Sequence, residues 1–231
     1  MAIGVLIIGE SGTGKSTSVR NLNPDETFII QVVNKPLPFP KFNKIYPLFN
    51  KGNKKGNRIV TANYQTIAKI LKSIDMSDKY KNIIIDDSTY LIAKQYLESN
   101  AKGYDKFIGL LENFYHLVNA IEHLEREDLK VIMLGHQKEN ENGKMAFKTI
   151  GKAIDDKITL EGLFSIVLNT EIRDNEYCFR TQNNGYNTSK SPLGMFESEY
   201  IENDLKLVVD KINEYYGINT ENKEKKEDKG E

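Results

Sequence analysis

The most informative chemistry in the sequence is a glycine-rich stretch near the N-terminus, Gly9-Glu10-Ser11-Gly12-Thr13-Gly14-Lys15-Ser16. It matches the eight-position pattern G-x-x-x-x-G-K-[S/T] at every fixed position. Glycines let the backbone turn sharply and point its N–H groups inward, where no Cβ obstructs a phosphate. In such a loop Lys15 reaches the β- and γ-phosphates, the Ser16 hydroxyl ligates Mg²⁺, and Thr17 can donate to the α-phosphate. We therefore predict that Gly9 to Thr17 binds the phosphates of a nucleotide.

Two adjacent carboxylates follow an apolar run further along the chain. Asp86 and Asp87 come directly after Ile83-Ile84-Ile85. A phosphate loop needs an acidic partner for Mg²⁺ at the end of another core strand, and Asp86 fits that role. Asp87 is then the candidate for polarising an attacking water, although capping of a helix that begins near Ser88 explains it equally well. The predicted metal ligands are Ser16 and Asp86.

A histidine comes directly after another apolar run, Val131 to Gly135. In a parallel sheet the carboxyl end of that strand faces the ligand crevice, so His136 is placed to sense a γ-phosphate. The alternative is a histidine on an exposed loop. The predicted catalytic residues are Lys15, Asp87 and His136.

These side chains need a sheet whose strands end at one edge. Apolar runs without alternation predict strands that are covered on both faces, at 3–8, 28–33, 83–87 and 131–135. Apolar residues at helical spacing predict helices at 64–74, 88–101, 105–125 and 204–216. Alternation of strands with helices predicts an α/β fold of three layers around a mostly parallel sheet.

The pattern changes after His136. Short β segments with turns at Asn142-Gly143 and Asn184-Gly185 predict a C-terminal antiparallel β extension at 145–150, 164–170 and 177–181. The predicted domain covers 1–217. The remainder, 218–231, is mostly charged and predicts a disordered tail.

Composition excludes several classes of protein. In 231 residues, 32 Lys+Arg almost cancel 33 Asp+Glu, so neither a globally basic nucleic-acid coat nor a strongly acidic chain fits. The single cysteine, Cys178, rules out an intrachain disulfide and a Cys-rich zinc site, and is expected to be a small core residue. The chain has no leader-like or membrane-spanning run, so we expect a cytoplasmic protein with no membrane partner.

The segment from Asn34 to Arg58 combines cations with aromatic residues and has no acidic residue. It also holds four of the six prolines, so little regular structure is expected. Single-stranded nucleic acid is bound by this combination, with cations along phosphates and aromatics beneath bases. A surface loop pinned to the core by its aromatics is an equally good interpretation. The candidate DNA-binding residues are Lys35, Phe39, Lys41, Phe42, Lys44, Lys51, Lys54, Lys55 and Arg58.

Taken together, the phosphate loop and the runs Ile83–Asp87 and Val131–His136 resemble the RecA-like core ATPases. The closer similarity is to bacteriophage nucleotide-binding proteins found among recombination genes and associated with single-strand annealing. It covers about residues 1–217 and is carried by Asn34–Phe39, Gly135-His136, Thr149–Lys152 and the stretch from Thr181 to Phe196.

The resemblance implies an ASCE-type sheet, in which the strand before His136 lies between the phosphate-loop strand and the Asp86 strand. It also implies ATP as nucleotide, Mg²⁺-dependent hydrolysis, a homo-oligomeric ring or filament, and a role in DNA recombination or replication. RecA-like enzymes generally carry a catalytic Glu after a neighbouring strand, whereas no Glu occurs between Phe28 and Tyr64. Hydrolysis is therefore expected to be slow or to rely on Asp87. Candidates for a cation that completes a neighbour's site are Lys148, Lys152, Arg173 and Arg180.

Other classes of P-loop protein compete with this interpretation. A Ras-like GTPase is disfavoured because Asn34-Lys35-Pro36-Leu37 lacks the Asp of the guanine-reading motif N-K-x-D. An AAA+ remodeller ranks lower because it needs a helical lid bearing an Arg, while the chain after His136 has a β pattern. A nucleoside or other small-molecule kinase stays open, as does an ATP-gated DNA-binding module with negligible turnover.

Overall fold

The computed structural model describes residues 1–98, 103–149 and 159–218, and in these ranges the chain forms one mixed sheet of nine strands. In chain order the strands are β1 (Ile3–Gly9), β2 (Thr27–Gln31), β3 (Arg58–Val60), β4 (Asn82–Asp86), β5 (Lys130–Glu139), β6 (Met145–Phe147), β7 (Ile166–Arg173), β8 (Glu176–Arg180) and β9 (Tyr200–Glu202). The helices are α1 (Phe42–Ile45), α2 (Tyr64–Asp75), α3 (Thr89–Glu98), α4 (Gly103–Glu122) and α5 (Leu205–Tyr215), with 3₁₀ turns at Thr17–Asn21 and Leu160–Leu163.

The strand order is β3-β2-β4-β5-β1-β7-β8-β9, with β6 paired to β5. All pairings from β3 through β7 are parallel, while β8, β9 and β6 pair antiparallel. This confirms the predicted α/β fold, with its largely parallel sheet and antiparallel C-terminal extension. β5 lies between β1 and β4, as the resemblance implied.

Helices cover the sheet on both faces. In β1, Leu6 and Ile8 join one core cluster while Val5 and Ile7 join the other. The first cluster includes buried residues of α2, α3 and α4, and the second includes residues of α5 and the 3₁₀ turn after the phosphate loop. A strand that is buried on both faces has no polar face to show, which is why the apolar run at 3–8 does not alternate.

The helix predictions hold where the structure describes them, with two differences near the site. The short helix that the sequence predicts at about 15–21 is a 3₁₀ helix at Thr17–Asn21, and α1 forms a single helical turn where little regular structure was expected. The predicted helix 88–101 ends at Glu98 in the described residues, and the tail from 219 onward lies outside them. None of the helices in the described ranges is long and apolar enough to cross a membrane.

β5 is longer than the apolar run that predicted it. It continues to Glu139 because its last residues pair with β6, with Gln137 opposite Phe147 and Glu139 opposite Met145. Gly143, in the predicted Asn-Gly turn, adopts a φ of 72° that favours glycine. His136 therefore lies within β5. The prediction that it follows the strand is wrong, because pairing with β6 extends β5 beyond it.

Candidate functional site

The phosphate loop begins where β1 ends and is packed tightly at its base. A Cβ on Gly9 would overlap the Thr170 hydroxyl of β7, so the strand and loop meet at a point where only glycine fits. The hydroxyls of Thr13 and Thr170 form a hydrogen bond at 2.5 Å, and the Thr13 hydroxyl also donates to the carbonyl of Glu10 at 2.8 Å. Gly14 has a φ of 95°, a conformation that favours glycine. Contacts with β7 thus hold the base of the loop in place.

Lys15 is folded back onto this loop. Its Nζ donates to the carbonyl oxygens of Gly9 at 3.0 Å and Glu10 at 2.5 Å, and the residue is only 7% exposed. Burial lowers the pKa of Lys15 to about 8, and the charge of Asp87 opposes that shift. A buried ammonium group that donates to carbonyl oxygens is stabilised further when an anion binds beside it. Lys15 is therefore well placed to bind a phosphate.

Ser16 and Asp86 meet directly. The Ser16 Oγ, in the phosphate loop, donates to Asp86 Oδ1, at the end of β4, at 2.7 Å. Asp86 is almost fully buried. Burial raises the pKa of Asp86 and the charge of Asp87 adds to the rise, against hydrogen bonds from Ser16 and Gln31. A buried carboxylate with raised pKa is stabilised by any cation that it can bind.

The donor set at Ser16 and Asp86 fits Mg²⁺. Both groups offer hard oxygen ligands, which Mg²⁺ prefers. No group of three His, Cys, Asp or Glu residues in the described ranges forms a closed metal cage.

Asp87 bends the chain at the end of β4 and presents a buried carboxylate to two other residues. Its φ of 59° is left-handed and the residue is 4% exposed. Oδ2 lies 2.6 Å from Lys35 Nζ, and Oδ1 lies 3.8 Å from His136 Nε2. The carboxylate therefore pairs with side chains across the site, and both roles predicted for it, water activation and helix capping, stay predictions.

His136 faces the beginning of the phosphate loop, since it pairs in register with Gly9. Its backbone N–H donates to Thr89 Oγ1 at 2.8 Å, and its ring packs edge-on against Tyr90 with centroids 5.7 Å apart. Burial lowers the pKa of His136, and the charge of Lys15 lowers it further. The imidazole is therefore neutral at neutral pH and available for hydrogen bonding beside Asp87.

Lys35 is the site residue whose position the sequence analysis missed. It was predicted only as a DNA contact, whereas the structure places its ammonium on Asp87. Burial alone would lower the pKa of Lys35, but the hydrogen bond and charge of Asp87 outweigh burial and raise it. Gln31, at the end of β2, fixes the backbone here by donating to the Lys35 carbonyl at 3.1 Å. Lys35 reaches the site because β2 neighbours β4, so that residues following both strands meet at one edge, and this strand order is not visible in the sequence pattern.

The segment from Asn34 to Arg58 divides into buried and exposed residues. Tyr46 is fully buried, and Phe39, Phe42 and Phe49 pack against the two core clusters. These rings pin the segment to the protein, as the second interpretation held, and Phe39 and Phe42 are half-buried. The lysines are exposed: Lys35, Lys41, Lys44, Lys51, Lys54 and Lys55.

Arg58 corrects the DNA-binding prediction. It is 4% exposed and donates to the Tyr46 carbonyl at 2.9 Å, Gln31 Oε1 at 2.7 Å and Asn43 Oδ1 at 2.8 Å. Its guanidinium also lies 5.1 Å from the centre of the Phe42 ring. With its donors directed inward, Arg58 is a structural residue that ties the segment to the sheet.

The candidate cations for a neighbour's site differ in burial. Arg180 is 6% exposed and forms ion pairs with Glu171, at 2.6 Å, and with Glu199, so its guanidinium is paired within the chain. Arg173 and Lys148 are exposed, and the Arg173 guanidinium lies 3.8 Å from the centre of the Tyr200 ring. Lys152 lies outside the described residues.

The largely parallel sheet and the phosphate loop together define a P-loop NTPase fold. A model of the family described as AAA domain matches residues 1–193, and the chain belongs to this family. The family match establishes an AAA domain, while the RecA-like resemblance and the lower rank of an AAA+ remodeller stay predictions. The β character after His136, on which the ranking depended, is confirmed by β6 to β9. A search of curated protein sequences found no match.

Proposed function

We propose that the protein is a Mg²⁺-dependent ATPase that binds single-stranded DNA as a homo-oligomer, in a ring or filament, and acts in DNA recombination or replication of the bacteriophage type. The observation that carries the nucleotide part is the 2.7 Å hydrogen bond from Ser16 to Asp86, formed beside Lys15. It joins the serine of the phosphate loop to the carboxylate that precedes Asp87, and this contact supports a shared site for phosphate and metal.

The chemistry follows from the positions of the side chains. Lys15 and the loop N–H groups hold the terminal phosphates, while Ser16 and Asp86 hold Mg²⁺. When bound, the ion neutralises the charge that develops on the phosphoryl oxygens. Asp87 is the candidate acceptor for the proton of the attacking water, and the neutral His136 imidazole beside it orients the water or the γ-phosphate.

The DNA part is supported by the exposed lysines of the segment 34–58 and by Lys35 in particular. Lys35 belongs to that segment and also pairs with Asp87 at 2.6 Å, so one side chain connects the two surfaces. A DNA phosphate that competes for Lys35 releases Asp87. ATP turnover then rises when single-stranded DNA binds, because the catalytic carboxylate is no longer paired.

The test is a titration of ATPase rate with a single-stranded oligonucleotide at two salt concentrations, with particle size followed by mass photometry. We expect stimulation that weakens at higher salt, since phosphate contacts release counterions. The variant Lys51→Gln/Lys54→Gln should lose stimulation at low DNA concentration and keep its basal rate. The matched control Lys69→Gln/Lys72→Gln removes two exposed lysines of α2 and should behave as wild type. ATPase activity that is indifferent to DNA contradicts the proposal.

A second candidate is an ATP-gated DNA-binding module with negligible turnover. The ion pair between Lys35 and Asp87 favours it, because the carboxylate that would activate water is occupied in the DNA-free protein. Asp87→Asn separates the two candidates. A wild-type rate near background, with DNA affinity unchanged in Asp87→Asn, supports gating. A measurable rate that Asp87→Asn abolishes supports the ATPase.

A further inference from the structure

A cavity of about 520 Å³ lies at the carboxyl edge of the sheet, near the end formed by β3. It is lined by Val32, which follows β2, by Val60 to Ala62 at the end of β3, and by residues of α2, α3 and α4. The phosphate loop follows β1, and β4 and β5 lie between β1 and β2, so the cavity is separate from that loop. Cavities of about 300–1,000 Å³ are typical of sites for small organic groups.

The cavity walls are rich in side chains that form hydrogen bonds. Amides, a tyrosine and a carboxylate line it, at Asn63, Tyr64, Gln65, Gln95, Asn113 and Glu98. Lys94 also lines the cavity, but its ammonium donates to the Val32 carbonyl at 2.7 Å. Glutamine and asparagine amides pair with adenine, and carboxylates accept from the amino group of cytosine. The walls therefore suit the polar edge of a nucleobase.

Two atoms of these walls need a partner. The Tyr64 hydroxyl and Gln95 Oε1 are shielded from solvent and have no hydrogen-bond partner in the described structure. A buried polar atom without a partner is costly. Oε1 is an acceptor, and a tyrosine hydroxyl accepts as well as donates, so a ligand that satisfies both atoms offers N–H groups. The exocyclic amino groups of adenine, cytosine and guanine offer two, whereas thymine has no amino group.

The cation for a neighbouring phosphate lies outside the cavity. The N–H of Val32 donates to the Asp86 carbonyl at 3.1 Å, so the cavity borders the strand that ends in the paired carboxylates. Lys35 follows Val32 by three residues, which span at most about 11 Å. Its ammonium, on Asp87, is thus close enough to meet a phosphate of a strand whose base enters the cavity. This arrangement fits one base of a longer strand better than a free nucleotide.

We propose that this cavity receives one unpaired base of single-stranded DNA and favours bases with an exocyclic amino group over thymine. The inference rests on the proposed function, because it takes single-stranded DNA as the partner. It adds a preference for sequence, which phosphate contacts alone do not supply.

The first test compares oligo(dA), oligo(dC) and oligo(dT) of equal length by fluorescence anisotropy at one salt concentration. We expect oligo(dA) and oligo(dC) to bind about tenfold more tightly than oligo(dT), the effect of one well-formed base contact. Equal affinity for the three strands overturns the base pocket alone. Failure of the wild type to bind any of them overturns the proposed function as well.

Tyr64→Phe shows whether the cavity is the source of the preference. The variant keeps the ring that packs edge-on against Phe114 and removes only a hydroxyl without a partner, so Tm should be unchanged or higher. It should lose most of the preference and keep its affinity for oligo(dT). The control Tyr186→Phe, whose residue is 74% exposed, should keep the preference. A folded Tyr64→Phe that discriminates as wild type does contradicts the proposal.

Gln95→Leu is a second, independent variant, with the exposed Gln182→Leu as its control. Gln95→Leu should also lose the preference and keep its affinity for oligo(dT), while Gln182→Leu should behave as wild type. Unchanged discrimination in Gln95→Leu contradicts the proposal.

Hydrogen–deuterium exchange locates the bound base. Oligo(dC) should slow exchange at 61–66 and 91–98 more than oligo(dT) does, and equal exchange with both strands contradicts a base in the cavity. Calorimetry with free deoxycytidine and deoxyadenosine is the remaining arm, in which we expect weak binding. Tight binding of a free nucleoside, with no preference among the strands, would make the cavity a small-molecule site and overturn the proposal.

Discussion

The hydroxyl of Ser16 donates to the carboxylate of Asp86 at 2.7 Å, joining two residues that are 70 positions apart in the chain. β5 separates their strands in the sheet, so the contact is made above the carboxyl edge and not along a strand pair. Both groups are oxygen ligands of the kind that Mg²⁺ takes beside a nucleotide. The predictions below test this relationship and the residues around it.

Asp86→Asn should raise the stability of the ligand-free protein and lower its ATP turnover. The change removes a buried carboxylate whose pKa is raised by burial and by Asp87, so the ligand-free protein becomes more stable at neutral pH. Each kcal/mol of relief raises Tm by about 2–4 °C in a chain of this size. ATP turnover should fall by roughly two orders of magnitude, as on removal of one electrostatic stabilising group. Calorimetry and a phosphate-release assay measure both, and a variant that keeps full turnover contradicts the metal assignment.

Lys35→Met should raise the basal ATPase rate and remove the response to single-stranded DNA. The substitution frees Asp87, and a partly exposed ion pair contributes at most about 1 kcal/mol, which corresponds to about a fivefold rise. Steady-state kinetics with and without DNA measure the effect. Lys44→Met, an exposed lysine on α1, is the control and should keep its basal rate. A fall in basal rate for Lys35→Met would show that Lys35 acts on the phosphate instead.

Arg58→Ala should destabilise the protein. It leaves the Tyr46 carbonyl and Gln31 Oε1 without this buried donor, and each buried unsatisfied group costs about 1–3 kcal/mol. Urea denaturation should therefore show a loss of about 3 kcal/mol or more. The exposed neighbour Lys55→Ala should stay within about 0.5 kcal/mol of wild type. Wild-type stability with weakened DNA binding in Arg58→Ala would restore the DNA-contact assignment.

Lys130 should make stability rise with pH in the alkaline range. It is 1% exposed, donates to Asn213 Oδ1 at 2.8 Å, and burial lowers its pKa from 10.5 to about 8. Between pH 8 and 10.5 the unfolded chain binds more protons at this residue than the folded chain does, so the free energy of unfolding increases with pH.

The variant Lys130→Met isolates this contribution. The stability of wild type relative to Lys130→Met should increase by on the order of 2 kcal/mol from pH 8 to pH 10.5. The exposed lysine variant Lys69→Met, compared in the same way, should show no such increase. A flat difference for Lys130→Met would mean that Lys130 is solvated in the folded protein.

The strands and the phosphate loop could be predicted because their signals are local. The apolar run of β1 is buried on both faces, and the residue types of Gly9 to Ser16 follow from the loop's own geometry. Asp86 could be placed because it ends such a run. The extension of β5 through His136 could not, since its pairing with β6 depends on the following hairpin and not on apolar residues.

Lys35 and Arg58 show why the basic segment could not be resolved from charge alone. Both are cations in a stretch without acidic residues, yet Arg58 is directed into the protein and Lys35 onto Asp87. The position of each depends on β2 lying between β3 and β4. Strand order is a property of the whole sheet, so no pattern within residues 34–58 contains it.

The central claim is that the loop at Lys15 binds Mg²⁺–ATP, and titration calorimetry of ATP into wild type and Lys15→Ala tests it most directly. With Mg²⁺ present, we predict binding by wild type and a loss of about 100-fold or more in Lys15→Ala. Tm should be unchanged or higher in that variant, because a buried cation with lowered pKa is removed. The control Lys44→Ala should bind as wild type does. Wild-type ATP affinity in a folded Lys15→Ala would contradict the account.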